Sequence, residues 1–317
     1  MSKIYTWPNA SFPFRQYYQG GNNRIFIIEN IAHNYEWLKV VSTHITPTDY
    51  FFVYLGWNFD RHACTHATMV FEELGLNREQ FYIMYNCQEE QAWGTKFGFY
   101  GDIINHNAWL NENKFSVKQL DKQYDALYIA RRTKWKRHYL ASGIDNLAMA
   151  CGGNNHGNQD CEIPVCKNDP EKKLTADEVV DLINKSRCGL SLSEVEGASF
   201  GTSEYLLCGI PVVTTPSRGG RSVWLDIDNS IQAQPTVQSV KRSVDEILAK
   251  DLNPYIIRDN HIRLANVYRK KFINQLGVVF DKFGLSIDPE QFYKENYFHK
   301  MRNSNKINNV IEIFTQR

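Results

Sequence analysis

Long hydrophobic runs are missing from this chain. Its most apolar stretch, residues 50–57, is far shorter than the roughly 20 residues that a membrane-spanning helix requires. The opening residues, MSKIYTWPNASF, are too polar for a secretory signal peptide. We therefore expect no transmembrane segment, membrane contact that is at most peripheral, and a cytoplasmic location.

Charge of one sign is not in excess either. Lys and Arg total 36 against 35 for Asp and Glu, which gives a net charge of +1 and no general attraction to nucleic acid. The seven cysteines are an odd number without regular spacing, which indicates reduced thiols rather than a disulfide framework. With 317 residues, 43% of them hydrophobic, the chain can bury a sizeable core, and its length favours two domains.

The first third of the chain alternates between two patterns. Residues 24–30, 51–57 and 81–87 are β-branched and aromatic runs, and helix-like stretches at 32–43 and 60–76 separate them. Strands that alternate with helices in this way predict a parallel sheet.

The predicted helix at 60–76 carries two histidines, His62 and His66, at positions i and i+4. Such a pair could bind a metal or flank a base, although a solvated helix face is the commoner explanation. Residues 98–115 then run from a short strand into an Asn-rich segment without helical period, which indicates a linker. We expect a first domain at 1–110 and a second at 117–317.

A strand predicted at 124–130 opens the second domain, and the sequence RRTKWKR follows it. Five basic residues in seven could form a nucleic-acid patch or hold a diphosphate. Ligands of open α/β sheets bind at the carboxyl ends of the strands, so the position of the cluster favours the diphosphate.

Two further strands are predicted, at 146–151 and 162–166, followed by a helix that a capping box at Thr175 and Glu178 begins and that ends near residue 186. Between these strands, cysteine and histidine recur every five residues. Structural zinc sites usually pair ligands two to four residues apart, so a polar loop is the preferred interpretation over zinc. The four residues concerned are Cys151, His156, Cys161 and Cys166.

The richest stretch is residues 192–220, read as LSEVEGASFGTSEYLLCGIPVVTTPSRGG. A strand predicted at 188–192 delivers a glycine-bearing loop, a helix predicted at 202–208 follows it, and residues 210–213 read as a buried strand. The loop amides and the helix N-terminus suit an anion such as phosphate. Glu204 can accept two hydrogen bonds from a ribose diol, and Glu196 can bind another polyol or the loop amides.

The motif Glu-x7-Glu, with the Cys-Gly-Ile-Pro-Val-Val strand and the Ser-Arg-Gly-Gly turn, resembles the donor-binding half of GT-B-fold glycosyltransferases, in particular the retaining group of family 4. The resemblance implies an α/β protein with two Rossmann-like parallel-sheet domains that face a central cleft. It also implies C-terminal helices that cross back onto the first domain. The first domain would bind the acceptor and the second the nucleotide-sugar.

The resemblance also assigns site residues. It implies that Arg131 and Lys136 hold the diphosphate, with Arg132 as a rival for the arginine role, and that Glu204 binds the ribose. Glu196 is the catalytic candidate, and His62 is the first-domain side chain to test beside it. The donor-binding residues expected from the match are Arg131, Arg132, Lys136, Glu196, Gly197, Ser199, Phe200, Gly201 and Glu204.

The expected reaction is retaining transfer of a hexose from GDP-mannose or a UDP-hexose to an acceptor hydroxyl, without a metal or other cofactor. Asp226 and Asp228 form an Asp-x-Asp, but a polar loop is the preferred explanation. The alternatives are an epimerase or phosphorylase on the same fold, or a nucleic-acid-binding protein that uses residues 131–137. The acceptor, whether glycan, lipid or protein, stays open, and a homodimer is compatible with the sequence.

Overall fold

The computed structural model describes residues 11–151, 162–297 and 304–315. The chain divides into two compact units, Met1–Trp109 with Val267–Arg317, and Leu110–Asn266. The predicted first domain, 1–110, ends beside this division. The predicted second domain, 117–317, extends beyond the second unit, because residues 267–317 group with the first unit. The resemblance implied C-terminal helices that return to the first domain, and this grouping is in line with that expectation.

Within the described ranges the strands are short, and most of them lie in parallel arrays. They are β1 (Ser11–Gly20), β2 (Asn23–Glu29), β3 (Asp49–Tyr54), β4 (Phe81–Tyr85), β5 (Gly101–Ile103), β6 (Tyr124–Ile129), β7 (Leu147–Ala150), β8 (Ser186–Ser191), β9 (Val212–Thr214), β10 (Ser230–Gln232) and β11 (Ser304–Lys306).

The α-helices of the described residues vary from 7 to 29 residues in length. They are α1 (Tyr35–Val41), α2 (Arg61–Leu74), α3 (Gln88–Lys96), α4 (Ala176–Asn184), α5 (Phe200–Leu207), α6 (Val237–Leu248), α7 (Pro254–Lys282), α8 (Pro289–Asn296) and α9 (Ile307–Thr315). None of them is both long enough and apolar enough to cross a membrane.

The sheet of the first unit has the order β11-β1-β2-β3-β4-β5. Strands β2 to β5 are parallel, whereas β1 is antiparallel to both β2 and β11. The three strands predicted from apolar runs are confirmed as β2, β3 and β4, and the short strand before the linker as β5. The predicted helices at 32–43 and 60–76 are confirmed as α1, flanked by 3-10 turns, and α2.

Stacked aromatic rings fill one side of this sheet. Phe26, Phe51 and Phe81 come from three adjacent strands, and their ring centroids are 5.0 Å and 4.4 Å apart in turn. Phe314 of α9 lies 4.9 Å from Phe26 and 5.7 Å from Trp37. The end of the chain therefore contributes to the hydrophobic core of the first unit.

The second unit contains a five-stranded parallel sheet of order β10-β9-β8-β6-β7. The chain builds β6 first, adds β7 on one side and then crosses to add β8 on the other. This reversal is the topological switch point at which open α/β sheets bind ligands.

One predicted strand is wrong, because residues 162–166 are irregular. The free edge of β7 is instead bonded by the amide of Asn168, which accepts from the N–H of Met149 at 2.9 Å and donates to its carbonyl at 2.7 Å. The Asn168 side chain thus makes the two backbone hydrogen bonds that a neighbouring strand would otherwise make with Met149.

The helix signals in the second unit are confirmed. The Thr175 hydroxyl accepts from the N–H of Glu178 at 3.2 Å, and the Glu178 carboxylate accepts from the N–H of Thr175 at 2.8 Å, so the capping box begins α4. The helix predicted at 202–208 is α5, shifted by two residues at its start. Gly284 lies between α7 and α8, and Pro289 is the first residue of α8.

Candidate functional site

The carboxyl edge of the second sheet gathers three connecting segments. Residues 131–137 follow β6, residues 192–201 follow β8 and residues 215–220 follow β9. Because these strands are adjacent and parallel, the segments meet at the same edge, on the β6–β8 switch point. The basic turn and the Glu-x7-Glu loop predicted from sequence therefore lie together.

Lys136 and Glu196 form the centre of this cluster. The Lys136 ammonium pairs with Glu196 Oε1, and the Ser193 hydroxyl donates to the same oxygen. The two charged side chains are only 13% and 9% exposed. Burial lowers the pKa of Lys136 and the nearby Arg131 charge lowers it further, while Glu196 opposes the shift. Each charge of a buried ion pair depends on its partner, because an uncompensated buried charge is costly.

The other arginines of the turn have different partners. Arg132 pairs with Glu171 at 3.0 Å. Arg137 donates to the carbonyl of Leu192 at 2.7 Å and to the Thr215 hydroxyl at 2.9 Å. Arg131 is exposed and close enough to affect Lys136. The choice between Arg131 and Arg132 for the diphosphate role, and the preference for a diphosphate over nucleic acid, stay predictions.

Arg221 is a residue of this cluster that the sequence analysis missed. It is 2% exposed, and its guanidinium donates to the carbonyl of Thr215 and to the Ser191 hydroxyl, the latter at 3.4 Å. Burial lowers the pKa of Arg221 to about 10, and the Glu196 carboxylate opposes this shift. Its position directly after the Gly219-Gly220 turn was the only available signal.

The first turn of α5 is fixed against the ends of β6 and β8. Gly189 of β8 has no room for a side chain, because a Cβ there would lie 2.2 Å from the ring of Tyr205. The Tyr205 hydroxyl accepts from the N–H of Ile129, the last residue of β6, at 2.7 Å. Thr202 bonds the Ser191 hydroxyl at 2.8 Å. The N-terminal end of the helix is thereby held at the switch point, as Gly201 beside Ile129 also shows.

Backbone strain occurs at the same place. Among the described residues, only three non-glycine residues have positive φ, and two of them are Arg137, with φ 51°, and Ser199, with φ 58°. Such conformations cost of order 1–3 kcal/mol and cluster at functional sites. Gly219, with φ 106°, backs the loop, because a Cβ there would lie 2.0 Å from the Glu196 carbonyl.

The remaining predicted donor residues occupy the loop and α5. Gly197 is held by a bond from the N–H of Gly220 to its carbonyl at 2.7 Å. Phe200 is the first residue of α5, and Glu204 is half-buried one turn further along the helix. Both residues lie on the helix that directly follows the loop of Glu196. Their contact with a donor stays a prediction.

His62 lies in the first unit, exposed on the first turn of α2, with its ring 4.1 Å from that of His66. Burial and the charge of His62 lower the pKa of His66. A role for His62 in catalysis stays a prediction.

The described residues contain no group of three or more His, Cys, Asp and Glu side chains that could hold a metal ion. Asp226 and Asp228 form a turn in which the Asp226 carboxylate accepts from the N–H of Asp228 at 3.0 Å. Of the four residues in the zinc alternative, His156 and Cys161 lie outside the described residues, Cys151 is buried and Cys166 is half-buried.

Comparison with solved structures defines the fold class. HepE from Anabaena, solved in complex with UDP, aligns with a TM-score of 0.57 at 12% identity, over 80% of this chain and 78% of that one. A glycosyltransferase from Rickettsia africae gives 0.56 at 14%, over 80% and 76%. Sucrose-phosphate synthase from Thermosynechococcus elongatus gives 0.56 at 12%, over 82% and 73%.

No protein-family model and no curated protein sequence matches the chain. At these identities the structural likeness establishes the fold. The chain has the α/β GT-B fold, with two Rossmann-like units that each contain a parallel array of strands.

Proposed function

We propose that this chain is a glycosyltransferase that transfers a hexose from a nucleotide-diphospho-sugar to an acceptor hydroxyl. The observation that carries the proposal is the buried Lys136–Glu196 pair at the switch point of the second sheet, beside the first turn of α5. A cation, a carboxylate and a helix N-terminus at one sheet edge match the phosphate, polyol and charge of such a donor.

Donor binding would exchange the partners of this pair. Lys136 would transfer its ammonium from Glu196 to the diphosphate, assisted by Arg131, and Glu196 would become available to the sugar hydroxyls. Glu204 would accept from the ribose hydroxyls, and Gly197, Ser199, Phe200 and Gly201 would form the wall of the sugar pocket. Two fixed cations can offset the charge that develops on the departing diphosphate, which is how this site would act without a metal.

We further propose that transfer retains the anomeric configuration, with a leaving phosphate oxygen taking the proton of the acceptor. GDP-mannose and UDP-hexoses are the candidate donors. The structural neighbour solved with UDP supports uridine donors as the first to be tested.

The test is calorimetric titration with a panel of UDP- and GDP-sugars, with and without EDTA. We expect one donor to bind, with an affinity that EDTA leaves unchanged. Lys136→Ala and Glu204→Ala should each raise its Kd at least tenfold, about 1.4 kcal/mol. Lys134→Ala, which removes an exposed cation of the same turn, should bind normally. Normal affinity in both site variants, or no binding by any donor, would reject the proposal.

The same preparation discriminates between the alternatives. A phosphorylase would carry a lysine-bound pyridoxal group and absorb visible light, and an epimerase would convert the donor sugar without any acceptor. A nucleic-acid-binding protein would bind DNA or RNA with a steep dependence on salt. We expect none of these three results.

A further inference from the structure

The sheet of the first unit has a carboxyl edge of its own. Strands β2, β3, β4 and β5 are parallel, so their carboxyl ends lie along one edge. Ligands of open α/β sheets bind outside such an edge. The loop 55–60, which links β3 to α2, lies there beside the end of β2.

This loop is held firmly at both ends. The Asn86 amide donates to the carbonyl of Leu55 at 2.9 Å. The buried Glu90 carboxylate accepts from the N–H of Phe59 at 3.3 Å and from the N–H of Asn86 at 2.7 Å. The Asp60 side chain caps α2. The loop backbone is therefore anchored at both ends before a ligand arrives, which reduces the entropy lost on binding.

A carboxylate from the neighbouring strand lies against this loop. Glu29 is the last residue of β2, and a Cβ at Gly56 would lie 1.8 Å from Glu29 Oε1. Only glycine lets the carboxylate lie against the loop backbone. The next residue, Asn30, is the third non-glycine residue with positive φ, at 35°. Strain of this kind is typical of functional sites and supports a role for the β2 terminus.

The middle of the loop carries a partly exposed aromatic ring and a buried amide. Trp57 is 38% exposed at this edge. Asn58 is only 4% exposed, and its Nδ2 has no hydrogen-bond partner within the part of the chain that the structure describes. A buried donor without a partner costs of order 1–3 kcal/mol, so a native protein usually has a reason to keep one.

We propose that Glu29, Trp57 and Asn58 form a carbohydrate-binding site, and that the acceptor is a saccharide. The indole would cover the apolar face of a sugar ring, the Glu29 carboxylate would accept from two vicinal hydroxyls, and the Asn58 amide would donate to a third oxygen. A hydrocarbon chain has no hydroxyl or oxygen that could pair with the Glu29 carboxylate and the Asn58 amide. That the bound saccharide is the acceptor rests on the proposed function, whereas the binding site itself does not.

The test uses maltose, cellobiose, mannobiose and chitobiose as probes on the full chain, with saturation-transfer NMR and tryptophan fluorescence as readouts. We expect one disaccharide to bind and to quench the fluorescence. Trp57→Ala and Glu29→Gln should each raise the Kd of that disaccharide at least tenfold, while Trp57→Phe should keep most of the wild-type affinity. Tyr100→Ala is the matched control, because Tyr100 is an aromatic residue, 60% exposed, at the opposite end of β5.

Donor titration on the same samples separates this proposal from the proposed function. If a donor binds and no disaccharide does, the saccharide acceptor is rejected and the transferase proposal stands. If a disaccharide binds and loses affinity with Trp57→Ala while no donor binds, the carbohydrate site stands and the transferase proposal falls. Unchanged disaccharide affinity in Trp57→Ala and Glu29→Gln would overturn the site itself.

Discussion

Glu90 is a fully buried carboxylic acid beneath the loop 55–60. Burial raises its pKa to about 8, although the N–H groups of Asn86 and Phe59 oppose the shift. Burial also raises the pKa of the neighbouring thiols, to about 12 for Cys64 and about 11 for Cys87. Of these three buried groups, Glu90 is therefore the one that ionises near neutral pH.

This difference makes stability depend on pH. The folded-state pKa of Glu90 lies above its ordinary value of 4.5, so the folded state keeps a proton that the unfolded state releases. The stabilisation is complete below pH 4.5 and is lost as the pH rises through about 8. We expect the free energy of unfolding to fall by a few kcal/mol across this window, measured by urea denaturation.

Glu90→Gln should flatten that dependence, because the amide cannot ionise. Glu89→Gln is the matched control, since Glu89 is the exposed neighbour on the same helix turn, and it should keep the wild-type slope. An unchanged slope in Glu90→Gln would show that another group is responsible.

At the residue scale, sequence reasoning identifies side chains whose role follows from local pattern. Lys136 and Glu196 are charged residues in loops that follow strands, and the structure joins them. The sequence does not identify Arg221 as a site residue, because its role depends on burial among groups that are distant in sequence, such as Ser191. No periodicity or spacing distinguishes a buried arginine from an exposed one.

At the scale of the element, the position of α5 depends on one glycine. A methyl group at Gly189 would lie 2.2 Å from the Tyr205 ring, so Gly189→Ala must displace that ring, which α5 carries. We expect a loss of about 1–3 kcal/mol in stability, as is usual for overpacking, and a raised donor Kd. Thermal unfolding and calorimetry measure the two effects. Gly277→Ala, in α7, is the control, because its new methyl would come no closer than 3.2 Å to a neighbouring atom, Pro289 Cγ.

Element prediction succeeded where strands are completely buried, and it failed where polar residues interrupt a strand or where a side chain takes the place of one. Strands β3 and β4 are buried along their whole length and, after Asp49, read as unbroken runs of apolar and aromatic residues. Strand β1 was missed because Arg15 and Gln16 interrupt it and its register shifts after Gln16. The strand wrongly expected at 162–166 is replaced by the Asn168 amide, a substitution that hydrophobic pattern does not reveal.

At the scale of the whole molecule, length and the linker composition indicated two units with a division near residue 110. The sequence could not show on its own which hydrophobic core the C-terminal helices cover, because an amphipathic helix reads the same whatever surface it packs on. The resemblance supplied that expectation, and the grouping of Val267–Arg317 with the first unit is the corresponding observation.

A substitution at Phe314 tests how strongly the stability of the first unit depends on residues 267–317. Its ring is fully buried and lies 4.9 Å from that of Phe26, and the Arg24 guanidinium, paired with Asp49 at 2.7 Å, lies 4.6 Å above it. Phe314→Ala should destabilise the first unit by about 3–5 kcal/mol. Calorimetry should show one unfolding transition at a lower temperature than in the wild type, and the variant should still bind the donor below that temperature. Thr315→Ala, at an exposed site on α9, should leave every transition temperature unchanged. Equal lowering of all transitions would mean that the two units unfold together, because the loss of one aromatic contact would then have reached both cores.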